Sequence, residues 1–335
     1  MAISKKQLGV IGAIVAVAAI VGGGAAAFAA TRAADPAAAD AAPSAAGSDA
    51  TGSSIKTADV KWVEGHTVPA AVEALRTSGF TPVEPGKLTV AVAPFQPPLA
   101  FIPEDSQAAV GHEVNFAKLV AQGLGLEYNQ VITSWADWPL GAQSGKFDLV
   151  ISNVTVTEER KELYDFATYR EDLLGFYVKS DSAIASIQGA EDISGLRIIV
   201  GSGTNQEQVL LEWNSKLEAE GKQPAELQYY DDVAAAALAV QSGRADATFG
   251  PNASGAWSAA NTGQTKLVGT VPGGWPLTAE IGAVTAKGNG LIGPVNLVIQ
   301  DLIATGTYGQ LLDAWGLAAE GIPASQINPP GLPKK

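Results

Sequence analysis

Short apolar runs alternate along this chain with longer stretches whose apolar residues recur at helical spacing. Residues 87–92 (KLTVAV) read as a strand, and residues 111–125 place Val114, Phe116, Leu119, Val120 and Leu124 at helical intervals before ending in Gly125. In the second half, residues 196–200 predict another strand, and Gly201-Ser202-Gly203-Thr204-Asn205-Gln206 leads into a helix carrying Val209, Leu210 and Trp213. Asp231 and Asp232 are set to cap an Ala-rich helix running to Gly243, because a carboxylate there accepts from first-turn N–H groups that have no helical partner. Residues 279–286 predict a further strand and residues 291–303 a further helix. Strands alternating with helices predict doubly wound α/β lobes, in which ligands sit at the carboxyl ends of strands. The ends concerned are Ser152-Asn153, residues 201–206 and residues 250–252.

One phrase occurs twice. Gln143-Ser144-Gly145-Lys146-Phe147-Asp148 precedes Leu149-Val150-Ile151-Ser152, and Gln241-Ser242-Gly243-Arg244-Ala245-Asp246 precedes Ala247-Thr248-Phe249-Gly250. Each reads as a helix stopped by Gly, a basic residue where the carbonyl dipoles favour positive charge, and a short buried strand. Two unrelated turns with the same good turn chemistry would look alike; two lobes of one architecture is the reading adopted.

The first 54 residues break this pattern. Lys5-Lys6, an uncharged apolar stretch over residues 8–21 and the small-x-small site Ala27-Phe28-Ala29 are the parts of a secretory signal. Since the run from Leu8 to Ala30 also approaches the ~20 apolar residues that cross a bilayer, residues 1–30 are expected to be either a cleaved signal or an uncleaved anchor. Residues 31–54 hold almost no large apolar side chain and read as a flexible, disordered linker. The residues from 55 onward suffice for two ordinary domains.

Composition narrows the chemistry. The 335 residues contain no cysteine and two histidines, His66 and His112, with a formal net charge of −13. Disulfides, thiolate metal sites and a cysteine nucleophile are excluded, a histidine-rich metal site is disfavoured, and no cofactor is expected. Nucleic acid is disfavoured as a partner, because phosphate binding needs clustered Lys and Arg. Lys5, Lys6, Arg32 and Lys56 offset Asp35, Asp40, Asp49 and Asp59 within the first 60 residues, so the excess charge belongs to the body that follows.

Several phrases taken in order carry a resemblance. They are Gly111-His112-Glu113-Val114, the segment 143–148, Thr155-Val156-Thr157-Glu158-Glu159-Arg160, Tyr164-Asp165-Phe166, the segment 201–206 and Gly306-Thr307-Tyr308. Over residues 87–315 the chain resembles the extracytoplasmic solute-binding proteins of ATP-binding-cassette (ABC) importers, polar amino-acid-binding family (family 3). The resemblance implies two α/β lobes joined by a two-crossing hinge, a periplasmic-binding-protein-like fold of type II. It divides the chain into a first lobe over residues 55–172, a second over residues 173–282, and a return to the first with a C-terminal tail over residues 283–335. The crossings are expected near residues 173–177 and 279–283.

The resemblance also implies a ligand site. Arg160 matches the arginine that clamps a ligand carboxylate, a role suited to a guanidinium fork; the plainer reading pairs it with Glu158, Glu159 or Glu162. Ser152, Asn153 and Thr155 match positions that hold the ligand through backbone groups and hydroxyls. Thr204, Asn205 and Gln206 match the second-lobe loop whose helix N-terminus offers free N–H groups. Trp135 falls where an aromatic covers the ligand, and Phe95 and Gln96 where a first-lobe loop adds a wall. In one place the chain departs from the family: Pro251 in Phe249-Gly250-Pro251-Asn252 stands where amino-acid-binding members carry an Asp for the ligand ammonium. An unpaired ammonium in a closed cleft is costly, so another acceptor is needed; Asn252 through its amide oxygen, Asp231 and Asp232 are the candidates, or the ligand lacks that group.

The expected function is extracytoplasmic capture of a small amino-acid-like solute by lobe closure and its delivery to the membrane permease of an ABC importer, by a monomer without catalysis. The alternatives are a tethered sensor domain and a dehydratase-like enzyme, the latter needing a general acid or base in the cleft.

Overall fold

Two sheets of five strands each organise the described residues. The computed structural model describes residues 55–230 and 232–334, all within a compact unit spanning residues 45–335. The expected signal or anchor, the linker and Asp231 lie outside the described residues. Among those described, no helix is long and apolar enough to cross a membrane.

Helix α1 (Pro69–Thr77) precedes strand β1 (Lys87–Val92), helix α2 (His112–Gly123), β2 (Glu127–Ile132), α3 (Trp138–Gln143), β3 (Leu149–Thr155) and β4 (Tyr164–Glu171). There follow β5 (Leu173–Lys179), β6 (Arg197–Ile199), α4 (Asn205–Ala219), β7 (Glu226–Gln228), α5 (Val233–Gln241), β8 (Ala247–Pro251), α6 (Asn252–Thr262) and β9 (Thr265–Pro272). The chain then runs through β10 (Glu280–Ala286), α7 (Ile292–Ala304) and α8 (Thr307–Trp315). The first sheet has the order β2-β1-β3-β10-β4 and the second β7-β6-β8-β5-β9. In each, the strand next to one edge lies parallel to both neighbours: β1 between β2 and β3, β6 between β7 and β8. Of the apolar positions that predicted α2, Phe116, Leu119, Val120 and Leu124 pack with Val295, Val298 and Ile299 of α7 against Leu88, Val90, Leu149 and Ile151 in one core beneath the first sheet, while Val114 joins Val92, Ala100 and Ala109 in a smaller cluster. Phe176, Ile198, Leu210, Trp213 and Phe249 form the corresponding core of the second.

The repeated phrase has one physical meaning in both lobes. Asp148 Oδ2 accepts from the backbone N–H of Thr89 (2.7 Å) while the Asp148 N–H donates to Thr89 O (2.8 Å). Asp246 Oδ2 accepts from the N–H of Arg197 (2.8 Å), and its own N–H donates to Arg197 O (2.8 Å). Each aspartate therefore clips the start of the strand that follows it, β3 or β8, to the parallel neighbour β1 or β6, one residue before the Val90–Leu149 and Ile198–Ala247 pairs. Gly145 and Gly243, at φ 70° and 71°, make the left-handed turns that release the chain from α3 and α5.

The chain crosses between sheets twice. Only Asp172 separates β4 in the first sheet from β5 in the second, and residues 273–279 carry the chain back from β9 to β10. Both crossings fall slightly ahead of their expected positions, since β5 pairs with β8 and β9, and β10 with β3 and β4, from their first residues. The carboxyl ends of β3 and β4 and the N-terminus of α4 thus meet beside the hinge.

Candidate ligand-binding site

Arg160 is placed by the turn that follows β3. Its N–H donates to Thr157 Oγ1 (3.0 Å), and its guanidinium turns back so that Nη1 donates to Thr155 O (2.9 Å). The acidic neighbours do not hold it: Glu158 pairs with Lys161 (2.8 Å) and Glu162 with Lys334. The guanidinium carbon instead lies 5.6 Å from the Trp135 ring centre and 5.9 Å from that of Trp138. Burial draws the Arg160 pKa down to about 10, with the charges of Asp172, Glu159 and Tyr164 acting in the other direction. This is a cation short of a partner, with donor capacity left for an anion.

Trp135 spans the cleft. It packs edge-on against Trp138 (6.1 Å between centres), and its Nε1 lies 3.9 Å from the point a side chain would occupy at Gly203 in the second lobe. Trp138 is a core residue, buried against Tyr164 at 5.2 Å. Opposite, Thr204 caps α4: its Oγ1 accepts from Glu207 N (3.2 Å) and donates to Gly201 O (2.7 Å). The hydroxyl is thereby committed to the helix, while the amides of Asn205 and Gln206 open the first turn, where an anion is favoured. Gln206 is buried; the Asn205 carboxamide donates to both Asp172 Oδ2 (2.8 Å) and Gly273 O (2.8 Å). Thr155 Oγ1 donates to the same Asp172 oxygen (2.7 Å). Thr155, Asp172 and Asn205 therefore tie the first lobe, the hinge and the second lobe together.

Other expected site residues are engaged elsewhere. Ser152 Oγ accepts from Ala93 N (2.8 Å), stitching β3 to the end of β1. Asn153, at φ 53°, turns its side-chain oxygen to Arg170 and its N–H to Glu113 Oε2 (3.3 Å). Asn252 Oδ1 accepts from Tyr177 Oη (2.9 Å), so the amide oxygen weighed for a ligand ammonium already has a partner inside the second lobe. Asp232, the other carboxylate weighed there, is exposed and accepts from Ala235 N (2.7 Å) as the cap of α5. Phe95 is 59 % exposed, and among the described residues no ring contact or hydrogen bond joins Phe95 or Gln96 to Arg160 or Trp135.

Below the cleft floor lies a buried ionic network that the sequence did not reveal. Arg170 donates through Nη1 to Glu320 and through Nη2 to Glu113 Oε1 (3.1 Å), and Tyr169 Oη donates to Glu113 Oε2. Burial alone would raise the Glu113 pKa, but His112, Arg170 and Tyr169 outweigh it and hold the carboxyl at about 2. Burial lowers the His112 pKa despite the same glutamate. Arg170 is pushed above its usual value, since Glu320 and Glu113 outweigh its burial.

A cleft between two α/β lobes, with a half-buried arginine lacking a carboxylate partner on one wall and a helix N-terminus on the other, is a solute-binding arrangement. Residues 88–318 match the model of the bacterial extracellular solute-binding proteins, family 3. The chain belongs to this family. This solute-binding protein is 30 % identical over 234 residues to the L-cystine-binding protein TcyJ of Escherichia coli (strain K12), covering 69 % of the present chain and 83 % of TcyJ. An ancestral arginine-binding protein solved with arginine superposes with a TM-score of 0.59 at 28 % identity, covering 69 % of this chain and 98 % of that one. The ancestral amino acid-binding protein AncCDT-1, a precursor of cyclohexadienyl dehydratase, superposes with a TM-score of 0.59 at 29 % identity, over 69 % of this chain and 95 % of its own. Family membership makes this chain a solute-binding protein that works outside the cytoplasm.

Proposed function

We propose that this protein captures an amino acid outside the cytoplasm and delivers it to the permease of an ABC importer, binding without turnover as a monomer. The observation that carries the reading is Arg160: half-buried beside two tryptophans, bonded through its guanidinium to one carbonyl and paired with no carboxylate among the described residues. A ligand carboxylate supplies the missing partner as a bidentate, charge-assisted pair. The same carboxylate lies within the field of the α4 N-terminus when the lobes are together, so it binds the closed arrangement more tightly than the open one, and that difference drives closure. Trp135 covers the ligand, and Thr155, Asn205 and Gln206 line it; the relatives named for cystine and arginine support an amino acid as its class.

The test is a thermal-shift panel of amino acids, amines and carboxylates on the purified protein, followed by calorimetry. Binding raises the unfolding temperature by mass action. At least one amino acid is expected to bind at a ratio of one per chain; no response to any carboxylate would overturn the reading. Chromatography of the bound ligand after prolonged incubation is expected to return it unchanged, whereas a new product would replace binding with catalysis of the kind for which the AncCDT-1 lineage is named.

A further inference from the structure

If the ligand is an amino acid, the reading just given accounts for its carboxylate and leaves its ammonium without a counter-ion. Pro251 offers none, Asn252 is held by Tyr177, Asp232 caps α5, and Glu113 is engaged by Arg170. Asp172 differs from all of these. It is the single residue between β4 and β5, buried at 5 % exposure, with its carboxylate at the meeting point of Thr155 and Asn205. Both donors converge on Oδ2, and Oδ1 has no hydrogen-bond partner among the described residues. No ion pair compensates the charge there either, since the adjacent Arg170 is engaged by Glu113 and Glu320. Room for the carboxylate exists because residue 273 is glycine: a Cβ there would lie 1.9 Å from Oδ2 and 2.7 Å from Oδ1.

Thr155 sets the spacing. Its carbonyl accepts from Arg160 and its hydroxyl donates to Asp172, so the anion-binding and cation-binding groups flank one residue. A ligand that joins that pair carries an anionic and a cationic group close together, as an α-amino acid does. We propose that Asp172 binds the α-ammonium group of an amino acid whose carboxylate rests on Arg160. The inference rests on the amino-acid reading and narrows it to α-amino acids, discriminated from acids that lack the amine. An ammonium brings to Oδ1 both a hydrogen-bond donor and the charge that the buried carboxylate lacks.

The experiment is calorimetry on the intact protein and its Asp172→Asn variant. The probes are L-arginine, L-cystine and L-glutamine, each with its des-amino carboxylic acid. Wild type is expected to prefer the amino acid it binds over the des-amino partner by roughly 100-fold, and Asp172→Asn to lose most of that preference, the amino acid weakening about 30-fold more than the des-amino acid. A variant that keeps the full preference overturns the role of Asp172 and leaves amino-acid binding standing. A wild type that binds these amino acids no better than their des-amino acids overturns the proposal, whereas amino-acid binding itself stands or falls with the full thermal-shift panel. Should the variant fail to fold, wild type alone decides. Burial holds the Asp172 carboxyl up at about 6, with Thr155, Arg170 and Asn205 lowering it and Glu320 raising it. Arg160 bears on it through space, and Glu171 and Glu280 flank it along the hinge. Pairing with an ammonium pulls that value down, so amino-acid binding near pH 6, measured in two buffers of different ionisation enthalpy, releases a proton that des-amino binding does not. Equal proton release from both probes overturns the proposal.

Discussion

Arg160 was legible because everything that aims it is local. Thr157 and Thr155, three and five residues upstream, bond its backbone and its guanidinium. Replacing Arg160 by Ala removes the carboxylate's partner and is expected to weaken amino-acid binding by about 2–5 kcal/mol, the range for breaking a buried charge pair. Titration calorimetry measures the loss, and an unchanged thermal midpoint of the unliganded protein separates it from misfolding. Glu113 was illegible for the opposite reason: it lies in the first turn of α2, its partner Arg170 stands 57 residues further along the chain, and the second partner of Arg170, Glu320, a further 150. Its carboxyl sits at about 2 against an ordinary 4.5. A depressed carboxylate stabilises the fold fully above its ordinary value and loses that contribution as pH falls through the folded one. Unfolding midpoints should therefore drop between pH 4.5 and 2, and Glu113→Gln should flatten that slope while lowering stability at neutral pH. Asp172 has the opposite sign, favouring the fold as pH falls from about 6 toward 3.8.

Among the elements, α4 and the repeated turn link local sequence to site geometry. Thr204 sacrifices its hydroxyl to cap α4 and so cannot double as a free ligand donor. Thr204→Ala should cost about 1 kcal/mol of stability, as N-cap losses do, with a smaller effect on affinity than Arg160→Ala; equal effects would show that the hydroxyl itself binds. Asp148 serves the backbone N–H groups of Val83 (2.9 Å) and Thr89 (2.7 Å). Removing it by Asp148→Ala orphans two donors, at about 1–3 kcal/mol by chemical denaturation. Asp246→Ala should cost less, because its partner Arg197 stands half-exposed and can turn to water.

Across the whole molecule, the lobes touch through Asn205 on Asp172 and Gly273, through Trp135 beside Gly203, and through Ala253 of α6 against the first lobe's core. Opening the cleft breaks these contacts and exposes Trp135, so its fluorescence should report closure. Trp135→Phe is expected to abolish most of the ligand-dependent emission change, measured at saturating ligand; a full signal in the variant would place the reporter elsewhere. Gly273→Ala tests the hinge directly. Its Cβ would fall 1.9 Å from the Asp172 carboxylate, so the substitution must displace that group or the crossing. Affinity for an amino acid should fall sharply with the lobes' cores intact.

Period, turn chemistry and a repeated six-residue phrase were sufficient to read two α/β lobes, the arginine and the loop before α4, because each is specified by residues within a few positions of one another. Within that phrase Asp148 and Asp246 perform the same structural task in the two lobes. Folding alone brought Asp172 between Thr155 and Asn205, closed the Glu113–Arg170–Glu320 network and turned Asn252 toward Tyr177. These are contacts between segments distant in the chain, and their energies depend on burial. A carboxylate's neighbours in water say nothing of the charge it will need once two lobes enclose it.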